Sequence, residues 1–406
     1  MSVPVRIEVG FSGPSLRTAF RLDDATYGRL DSGVLGIGIT LVDLSERAVS
    51  LNVRRGRQNR IDPVQAGRAT VILRNNDGVL DPLNTASSLY PGVEPRRPIN
   101  LYANNQQVFA GFVDDIDLDY TAGGDAVVRI EASDGLSRFA LAEFPPAGQA
   151  FAAEDSGARV QSVLDSDPDL WTDDVDLDVG DSVLGAGTAT DNVLEYLQKV
   201  ERSEAGFFFV ARDGVLTFRN RNNPAQNPGS LILSDIPGSA ACTPYVELSR
   251  QAGIEDIYNK VEAVGPGGTA IAQDEDSIDT FGIRELDLRE LLLDEQDDVQ
   301  QRVAYEVGRR ADAYTSVRTV TVDQSTQSGG CTLTLQHDLG DSVDIVFTPP
   351  GVAQQTQTSV LVGVEHNWTV TRSWRTTFLL TQADAGQFLV LDDVDFGQLD
   401  VGALAF

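Results

Sequence analysis

The residues best suited to nucleophilic or metal chemistry are two histidines, His337 and His366, and two cysteines, Cys242 and Cys331. A zinc hydrolase needs His or Cys ligands at short, regular spacings. Neither histidine stands at such a spacing from another His or Cys, and a Cys-His or Ser-His pair would have to use one of these two residues. Lone histidines in strand-like patterns are mostly structural, so the sequence predicts no zinc site and no catalytic histidine.

Carboxylates are the second group that could do chemistry. The run DPDLWTDDVDLDVGD, from Asp167 to Asp181, could hold calcium, but it lacks the Gly and Glu positions of an EF-hand loop. Gly185 and Gly187 precede a helical pattern, but the third glycine of a nucleotide-binding loop is missing, which favours a plain turn. Calcium binding at the acidic run stays open, and no cofactor is expected.

A glycosidase would need only two carboxylates without any local motif. With 61 acidic residues some pair is always available, so availability decides nothing. Such an enzyme also needs an aromatic sugar groove, whereas aromatics make up 7% of the chain and the tryptophans are Trp171, Trp368 and Trp374. We therefore expect that the protein is not an enzyme.

Charge and length limit the remaining classes. A formal net charge of -30 repels nucleic acid and anionic membranes, so no specific nucleic-acid binding is expected. The sequence has neither a secretory signal pattern nor a run of about 18 apolar residues, so no membrane span is expected. A chain of 406 residues can form two or three domains with their own cores.

One basic cluster, RRGRQNR, interrupts the acidic background and contains Arg54, Arg55, Arg57 and Arg60. These arginines could simply balance acidic neighbours at a strand end. Alternatively, they could bind an acidic surface of a partner, including another copy of this chain, because guanidinium groups bind carboxylates in a bidentate way. The sequence leaves both interpretations open.

Alternating hydrophobicity predicts mainly antiparallel β-structure. Strand patterns in AVSLNVRRGR, RATVILRN, PINLYAN, QQVFAGFVDDIDLDY and AVVRIEASD predict a first β-barrel over 48–146. Residues 147–235 read as a small α+β domain with a helix capped by Thr190 and ended by Gly206, followed by a hairpin turning at Asp213-Gly214. The region 236–385 reads as a second barrel.

The second barrel is predicted from YNKVEAV, RTVTVDQ, CTLTLQ, DSVDIVFTP, TSVLVGVEH and WRTTFLLTQAD, with one helical insertion. That helix runs around Asp294 to Tyr314, and it is expected to pack across the barrel. Its apolar face comprises Val299, Val303, Val307, Ala311 and Tyr314.

Two internal echoes stand out. The segment VFAGF (108–112) is followed by Asp134, and the similar segment VLVGV (360–364) is followed by Asp384. The distance from the glycine to the aspartate is 134 − 111 = 23 residues in the first copy and 384 − 363 = 21 in the second. Similar hairpins can arise by chance, so this echo alone decides little. A closer one joins the ends of the chain, because LDDATYGRLDSGVL (22–35) matches LDDVDFGQLDVGAL (391–404) at eight positions.

The repeated phrase suits an arm that docks on another surface, since so short a segment cannot bury its apolar side chains alone. We assign 1–47 and 386–406 to two such arms, although each copy could instead close its own barrel. The expected contact residues are Leu22, Asp23, Asp24, Tyr27, Gly28, Leu30 and Asp31, and Leu391, Asp392, Asp393, Phe396, Gly397, Leu399 and Asp400.

The ordered set RRGRQNRIDPVQAGRATVILRNNDGVLDPLN, LYPGVEPRRPINLYA, VFAGFVDDI and VRIEASDGLSRFAL resembles minor tail proteins of long-tailed phages, especially those of actinobacterial hosts. SGARVQSVLD, VLEYLQKVERSEAGFFFVARDGVLTFRNR and DLGDSVDIVFTPPG extend the resemblance over most of the chain. The family is similar to the tail hubs of contractile phages and type VI secretion spikes. This implies a mainly β fold, with two related antiparallel β-barrels and α+β insertions, in a trimeric ring.

The resemblance implies a structural virion protein at the tail tip, assembled in the host cytoplasm. Its partners would be two further copies of itself, a distal tail protein or tail tube ring, other tail-tip or fibre proteins, and a tape measure protein. Three chains with two barrels each would present six similar units to a sixfold tube, so the ring would act as a symmetry adaptor. Two other functions stay open: a carbohydrate-binding baseplate protein and a tail-associated cell-wall hydrolase.

Overall fold

The computed structural model describes residues 3–11, 40–57, 62–190, 192–223, 231–236, 243–254, 256–311, 315–324 and 332–383. Strands dominate these residues, and shorter helices lie between them, as the sequence predicts. Within this part of the chain, the helices are too short or too polar to cross a bilayer.

The first third of the chain forms seven strands of one large sheet. Their side chains alternate between core and surface, as in β4, where Ala69, Val71 and Leu73 are buried and their neighbours face outward. Strands β1 and β2 fall within 1–47, and β1 pairs with β5. The strands are β1 (Val5–Phe11), β2 (Thr40–Asp43), β3 (Ala48–Gly56), β4 (Gln65–Arg74), β5 (Pro98–Ala103), β6 (Gln106–Tyr120) and β7 (Ala126–Ser133).

The α+β region follows. It contains α1 (Leu136–Phe139), β8 (Gln149–Phe151), β9 (Glu154–Asp155), α2 (Ser156–Ser166), β10 (Val175–Leu177), β11 (Val183–Leu184), β12 (Gly187–Ala189), α3 (Val193–Glu204), β13 (Phe207–Val210) and β14 (Leu216–Arg219). The predicted hairpin is confirmed, because β13 and β14 pair antiparallel around a turn in which Gly214 has a φ of 97°.

The predicted cap of helix α3 is wrong. Asn192 is the N-cap, and its side chain accepts hydrogen bonds from the backbone N–H groups of Leu194 and Glu195 at 2.9 and 3.4 Å. The Asn192 amide also donates to the carbonyl oxygen of Ala142, so it fixes the helix start to the preceding segment, which Thr190 does not. At the other end, Ala205 takes a left-handed conformation, one residue before the predicted stop.

The remaining chain supplies strands for two sheets. It contains β15 (Leu231–Ser234), β16 (Thr243–Pro244), β17 (Glu247–Ala252), β18 (Lys260–Gly265), β19 (Gly268–Gln273), α4 (Glu275–Phe281), β20 (Glu285–Leu288), α5 (Gln296–Arg310), β21 (Thr315–Asp323), α6 (Thr332–Gln336), β22 (Ser342–Phe347), β23 (Gln355–Thr369) and β24 (Arg372–Gln382).

Two predictions in this region are wrong. The segment CTLTLQ contains helix α6 rather than a strand, with Leu335 2% exposed and Leu333 47% exposed. Residues two apart would share one face of a strand, whereas on a helix they point in nearly opposite directions. The strand in YNKVEAV, β18, belongs to a separate three-stranded sheet with the order β19-β18-β20.

Helix α5 has its most extensive contacts with β18 and β19 of that small sheet, whereas the sequence predicts that it packs across the second barrel. Its predicted apolar face is confirmed at Val299, Val303, Val307 and Ala311, which are all buried, while Tyr314 lies outside the described residues. The helix and the small sheet therefore form one inserted layer.

The large sheet contains the same five-stranded arrangement twice. The first sheet unit, β3 to β7, has the spatial order β5-β6-β7-β4-β3. The second sheet unit, β17 and β21 to β24, has the order β22-β23-β24-β21-β17. Every pairing in both units is antiparallel. The predicted internal repeat is thus present in the strand topology.

The register of the repeat differs from the sequence echo. A bulge separates Val113 from Asp115 in the β6–β7 ladder, and an equivalent bulge separates Leu361 from Gly363 in the β23–β24 ladder. Matching the bulges makes Asp115 the counterpart of Gly363. The implied match of Gly111 with Gly363 is therefore wrong, because the two glycines meet different neighbours: the Ser133 carbonyl near Gly111, and the Arg57 carbonyl near Gly363.

Candidate functional site

The two sheet units meet where β3 pairs with β23, and we call this pairing the junction. It runs antiparallel from Gly363 opposite Gly56 to Thr369 opposite Ser50. On the other side of β3 lies β4, and on the other side of β23 lies β24. The junction therefore makes one continuous sheet out of two repeated units.

Polar side chains cross the junction on its exposed face. Asn52 donates to the Asn367 amide oxygen at 2.6 Å, and Asn367 in turn donates to Glu365 at 3.0 Å. Glu365 lies directly opposite Arg54, an exposed member of the basic cluster. Opposite charges at facing positions favour one strand register over its neighbours.

An apolar side chain also crosses between the units. Trp374 belongs to β24 of the second unit, yet it is fully buried in the hydrophobic core that β1 and the first unit form. Its indole N–H donates to the Thr376 hydroxyl at 3.1 Å, and its ring contacts His366. Burial lowers the pKa of His366 to about 3, so this histidine is a neutral core residue.

Close backbone contact at one end of the junction requires glycine. Gly56 has a φ of +93°, and a β-carbon there would lie 2.3 Å from the Val362 carbonyl oxygen and 2.7 Å from the Gly363 α-carbon. The next residue, Arg57, donates its backbone N–H to the same carbonyl at 2.8 Å. The chain can therefore leave β3 beside β23 only where no side chain intervenes.

Arg55 joins the junction to the α+β region through Asp338. Both terminal nitrogens of Arg55 donate to the Asp338 carboxylate, with 3.1 Å between Nη1 and Oδ2, and the two side chains are 4% and 16% exposed. The backbone N–H of Arg212 donates to the same oxygen at 2.7 Å. Burial lowers the pKa of Arg55 to about 10, so it remains a cation at neutral pH. Asp338 thus ties three parts of the fold together.

Arg57 makes a second buried connection. It lies 3.4 Å from Glu201 of helix α3, donates to the Asp62 carbonyl at 3.3 Å and stacks over the Phe207 ring at 4.4 Å. Arg55 and Arg57 therefore face groups of their own chain, whereas Arg54 is exposed. Arg60 lies outside the described residues.

The Glu201 carboxyl gives a pH dependence that can be measured. Burial raises its pKa to about 7, although Arg57 opposes this shift. Between about pH 4.5 and 7 the folded chain therefore holds a proton that the unfolded chain has released, so this group makes stability fall as pH rises. In thermal unfolding scans, the melting temperature of Glu201→Gln relative to that of the parent protein should therefore increase as pH rises from about 5 to about 7.5.

Glu195→Gln is the matched control for that experiment, because Glu195 is exposed on the same helix. Its difference from the parent protein should stay constant over this pH range. A constant difference for Glu201→Gln as well would contradict the proposed role of this carboxyl.

The other residues singled out for chemistry have structural partners. His337 pairs with Asp341, with 3.1 Å between Nδ1 and Oδ2. In the acidic run, Asp176 and Asp178 both contact Arg219, and Asp178 also accepts the Asn220 N–H at 2.9 Å. Among the described residues, no three His, Cys, Asp or Glu side chains are grouped as they would be around a metal ion.

The two copies of the terminal phrase lie outside the described residues. The structure therefore describes none of the expected arm residues Leu22, Asp23, Asp24, Tyr27, Gly28, Leu30 and Asp31, nor Leu391, Asp392, Asp393, Phe396, Gly397, Leu399 and Asp400. Their docking remains a prediction.

Sequence reasoning missed Asp338, Glu201 and Glu365, which oppose three residues of the basic cluster. Glu365 could have been found from the alternation of β23, which puts its side chain outward. Asp338 and Glu201 carry no local signal, since each is brought to its arginine by the fold alone.

Several solved structures are similar to nearly the whole chain at 11% sequence identity. The tail protein from Neisseria meningitidis MC58 has a TM-score of 0.61 and an identity of 11%, over 95% of this chain and 97% of that chain. The 43 kDa tail protein of prophage MuSo2 from Shewanella oneidensis has a TM-score of 0.58 and an identity of 11%, over 94% and 97%. The prophage tail protein gp18 from Listeria monocytogenes EGD-e has a TM-score of 0.51 and an identity of 11%, over 93% and 95%.

No protein-family model matches the sequence, and no curated protein matches it. The likeness is therefore one of three-dimensional structure, and it extends over both sheet units and the insertions between them. The chain has the fold of these tail proteins.

Proposed function

We propose that this chain is a structural subunit of a phage tail tip, in which three copies form a hub ring. Six similar sheet units, two from each chain, would then face a sixfold tail tube on one side and threefold tip components on the other. The neighbours would be a distal tail protein or tube ring, a tape measure protein and tip or fibre proteins. The sequence resemblance favours phages of actinobacterial hosts, with assembly in the host cytoplasm.

The observation that carries the proposal is the repeated strand order, β5-β6-β7-β4-β3 and β22-β23-β24-β21-β17. Because each chain contains two similar sheet units, a ring of three chains would present six similar units around its axis. The fold shared with tail proteins supports the same role, because their likeness covers the chain almost from end to end.

In the proposed role the protein performs no catalysis. Its two histidines and the buried carboxylates Asp134 and Glu201 all have intramolecular contacts that fit a structural function. A carbohydrate-binding role would need exposed aromatics, whereas Trp171 and Trp374 are buried and Trp368 is half-buried. Release of soluble fragments from peptidoglycan that depended on one carboxylate would contradict a purely structural role.

The expected stoichiometry is three chains in the assembled ring. Native mass spectrometry of rings released from tails, or of the concentrated full chain, should give three times the 43.7 kDa chain mass. A dilution series distinguishes a ring that dissociates from a stable monomer, since assembly follows mass action. A ring of six chains, or an assembled tail without this chain, would overturn the proposal.

A further inference from the structure

Each sheet unit has one strand edge without a described partner, although the equivalent edge of the other unit is paired in the junction. In the junction, β3 offers the edge that is not paired with β4, and β23 accepts it along 363–369. The counterpart of β3 is β17, which pairs with β21 and with no other described strand. The counterpart of β23 is β6.

No described strand pairs with β6 at the position that corresponds to where β23 accepts β3. Strand β22 pairs with β23 only as far as Val360, and β5 pairs with β6 only as far as Phe112. Backbone hydrogen bonds from 96–97 extend that side of β6 to Val113. From Asp115 to Tyr120, β6 pairs with β7 alone among the described strands.

The ladders fix which residues would meet. Leu51 pairs with Val71, as Leu248 pairs with Val320, so β17 matches β3 with Leu248 for Leu51 and Ser249 for Asn52. Counting from the matched bulges, Asp119 and Tyr120 of β6 correspond to Asn367 and Trp368 of β23.

The chemistry of these counterparts agrees in part with that of the junction. Leu51 faces Trp368 across the junction, and their counterparts are a leucine and the aromatic Tyr120, which is 59% exposed in the single chain. Arg54 faces Glu365, and the counterpart of Glu365 is the exposed Asp117. Counting along β17 from Leu248, the counterpart of Arg54 is Gln251, whereas the exposed cation Arg250 is the counterpart of Val53 and stacks over Phe347 of its own chain. The leucine facing an aromatic side chain and the anion on the accepting strand thus recur, whereas a polar glutamine takes the place of the arginine.

We propose that β17 of one chain pairs antiparallel with β6 of a second copy, in the register that places Ser249 opposite Asp119. The contact repeats the junction between chains, so each copy uses two different edges and successive copies can close into a ring. The inference rests on the proposed hub only for the number of copies. It also covers two strand edges that carry no described partner strand, and such edges are prone to uncontrolled pairing.

Disulfide trapping tests the register directly. Residues that face each other on antiparallel strands have β-carbons about 4.5 to 5.5 Å apart, close enough for a disulfide after small adjustments. In a background with Cys242→Ser and Cys331→Ser, full chains carrying Ser249→Cys are mixed with separately tagged full chains carrying Asp119→Cys and oxidised mildly. A covalent dimer containing one chain of each kind is the expected product.

Two controls come from the same sheet. Asn52→Cys with Asn367→Cys in one chain is the matching pair of the junction, and it should form an intramolecular disulfide under the same conditions. Glu131→Cys lies on β7, one strand further in, so mixing it with Ser249→Cys should give at most a small fraction of that dimer. If the intramolecular control oxidises and the Ser249–Asp119 mixture gives no more dimer than the Glu131 mixture, the proposed pairing is wrong.

Failure of this pairing and failure of the hub can be told apart. If tails contain threefold rings of this chain but the Ser249–Asp119 disulfide does not form, the proposed hub is supported and the proposed interface is wrong. If the disulfide forms but the chain is absent from tails, the proposed interface is supported and the proposed hub is wrong.

Discussion

Asp338→Ala is expected to lower the free energy of unfolding by about 3 to 5 kcal/mol, because it removes the carboxylate that is hydrogen-bonded to the buried Arg55 cation, which Asp134 and Asp213 stabilise only through their charge. The same change removes the acceptor of the Arg212 backbone N–H, so the α+β region should loosen from the sheet. Urea unfolding followed by tryptophan fluorescence measures the loss, and proteolysis around Arg212 reports the loosening.

Asp287→Ala is the matched control, because its partner Arg289 is 75% exposed. Removing an exposed ion pair should change stability by at most about 1 kcal/mol. The double variant Arg55→Met with Asp338→Ala should lose less than the sum of its single variants, since the buried cation is then removed together with the carboxylate that binds it. A loss in Asp338→Ala no larger than that of the control would refute the structural role of the pair.

Gly56→Ala is expected to destabilise the chain by about 2 to 5 kcal/mol. A left-handed backbone costs a non-glycine residue about 1 to 2 kcal/mol, and forcing a methyl group against packed atoms adds about 1 to 3 kcal/mol. Here the new methyl group would lie 2.3 Å from the Val362 carbonyl oxygen, so β3 and β23 must move apart. Hydrogen exchange should show the largest loss of protection in 50–56 and 363–369.

Gly124→Ala separates the two contributions. Gly124 has a φ of +92°, nearly the value at Gly56, but no atom lies within 4 Å of a β-carbon built there. This variant should therefore show only the backbone cost and leave the junction protected. Equal losses in the two variants would mean that contact at the junction contributes nothing.

Period-two alternation was sufficient to locate most strands of both sheet units, because a sheet with one buried face leaves that pattern in the sequence. Alternation failed at CTLTLQ, where only two leucines supported it and α6 packs beside β6. It also could not show that β18 belongs to another sheet, since strand pairing is a property of distant residues. The helix cap at Asn192 depends likewise on a tertiary contact, the carbonyl of Ala142.

The candidate site was only partly predictable. The sequence identified the arginine cluster, but the partners of Arg55 and Arg57 lie 283 and 144 residues further along the chain. The internal repeat was visible as a hydrophobic pattern, whereas its register follows from two β-bulges that have no clear sequence signature.

The junction also has a consequence for synthesis. The Asn52 amide bonds to residues 313 and 315 positions later, so the partner strand of β3 leaves the ribosome long after the first unit is complete. From the end of β7 at Ser133 to Glu365 there are 365 − 133 = 232 residues, so at about 5 to 20 residues per second the delay is roughly 12 to 46 s. During this time the edge of β3 in the nascent chain has no partner strand. The charge of Arg54 on that edge disfavours pairing with other nascent chains.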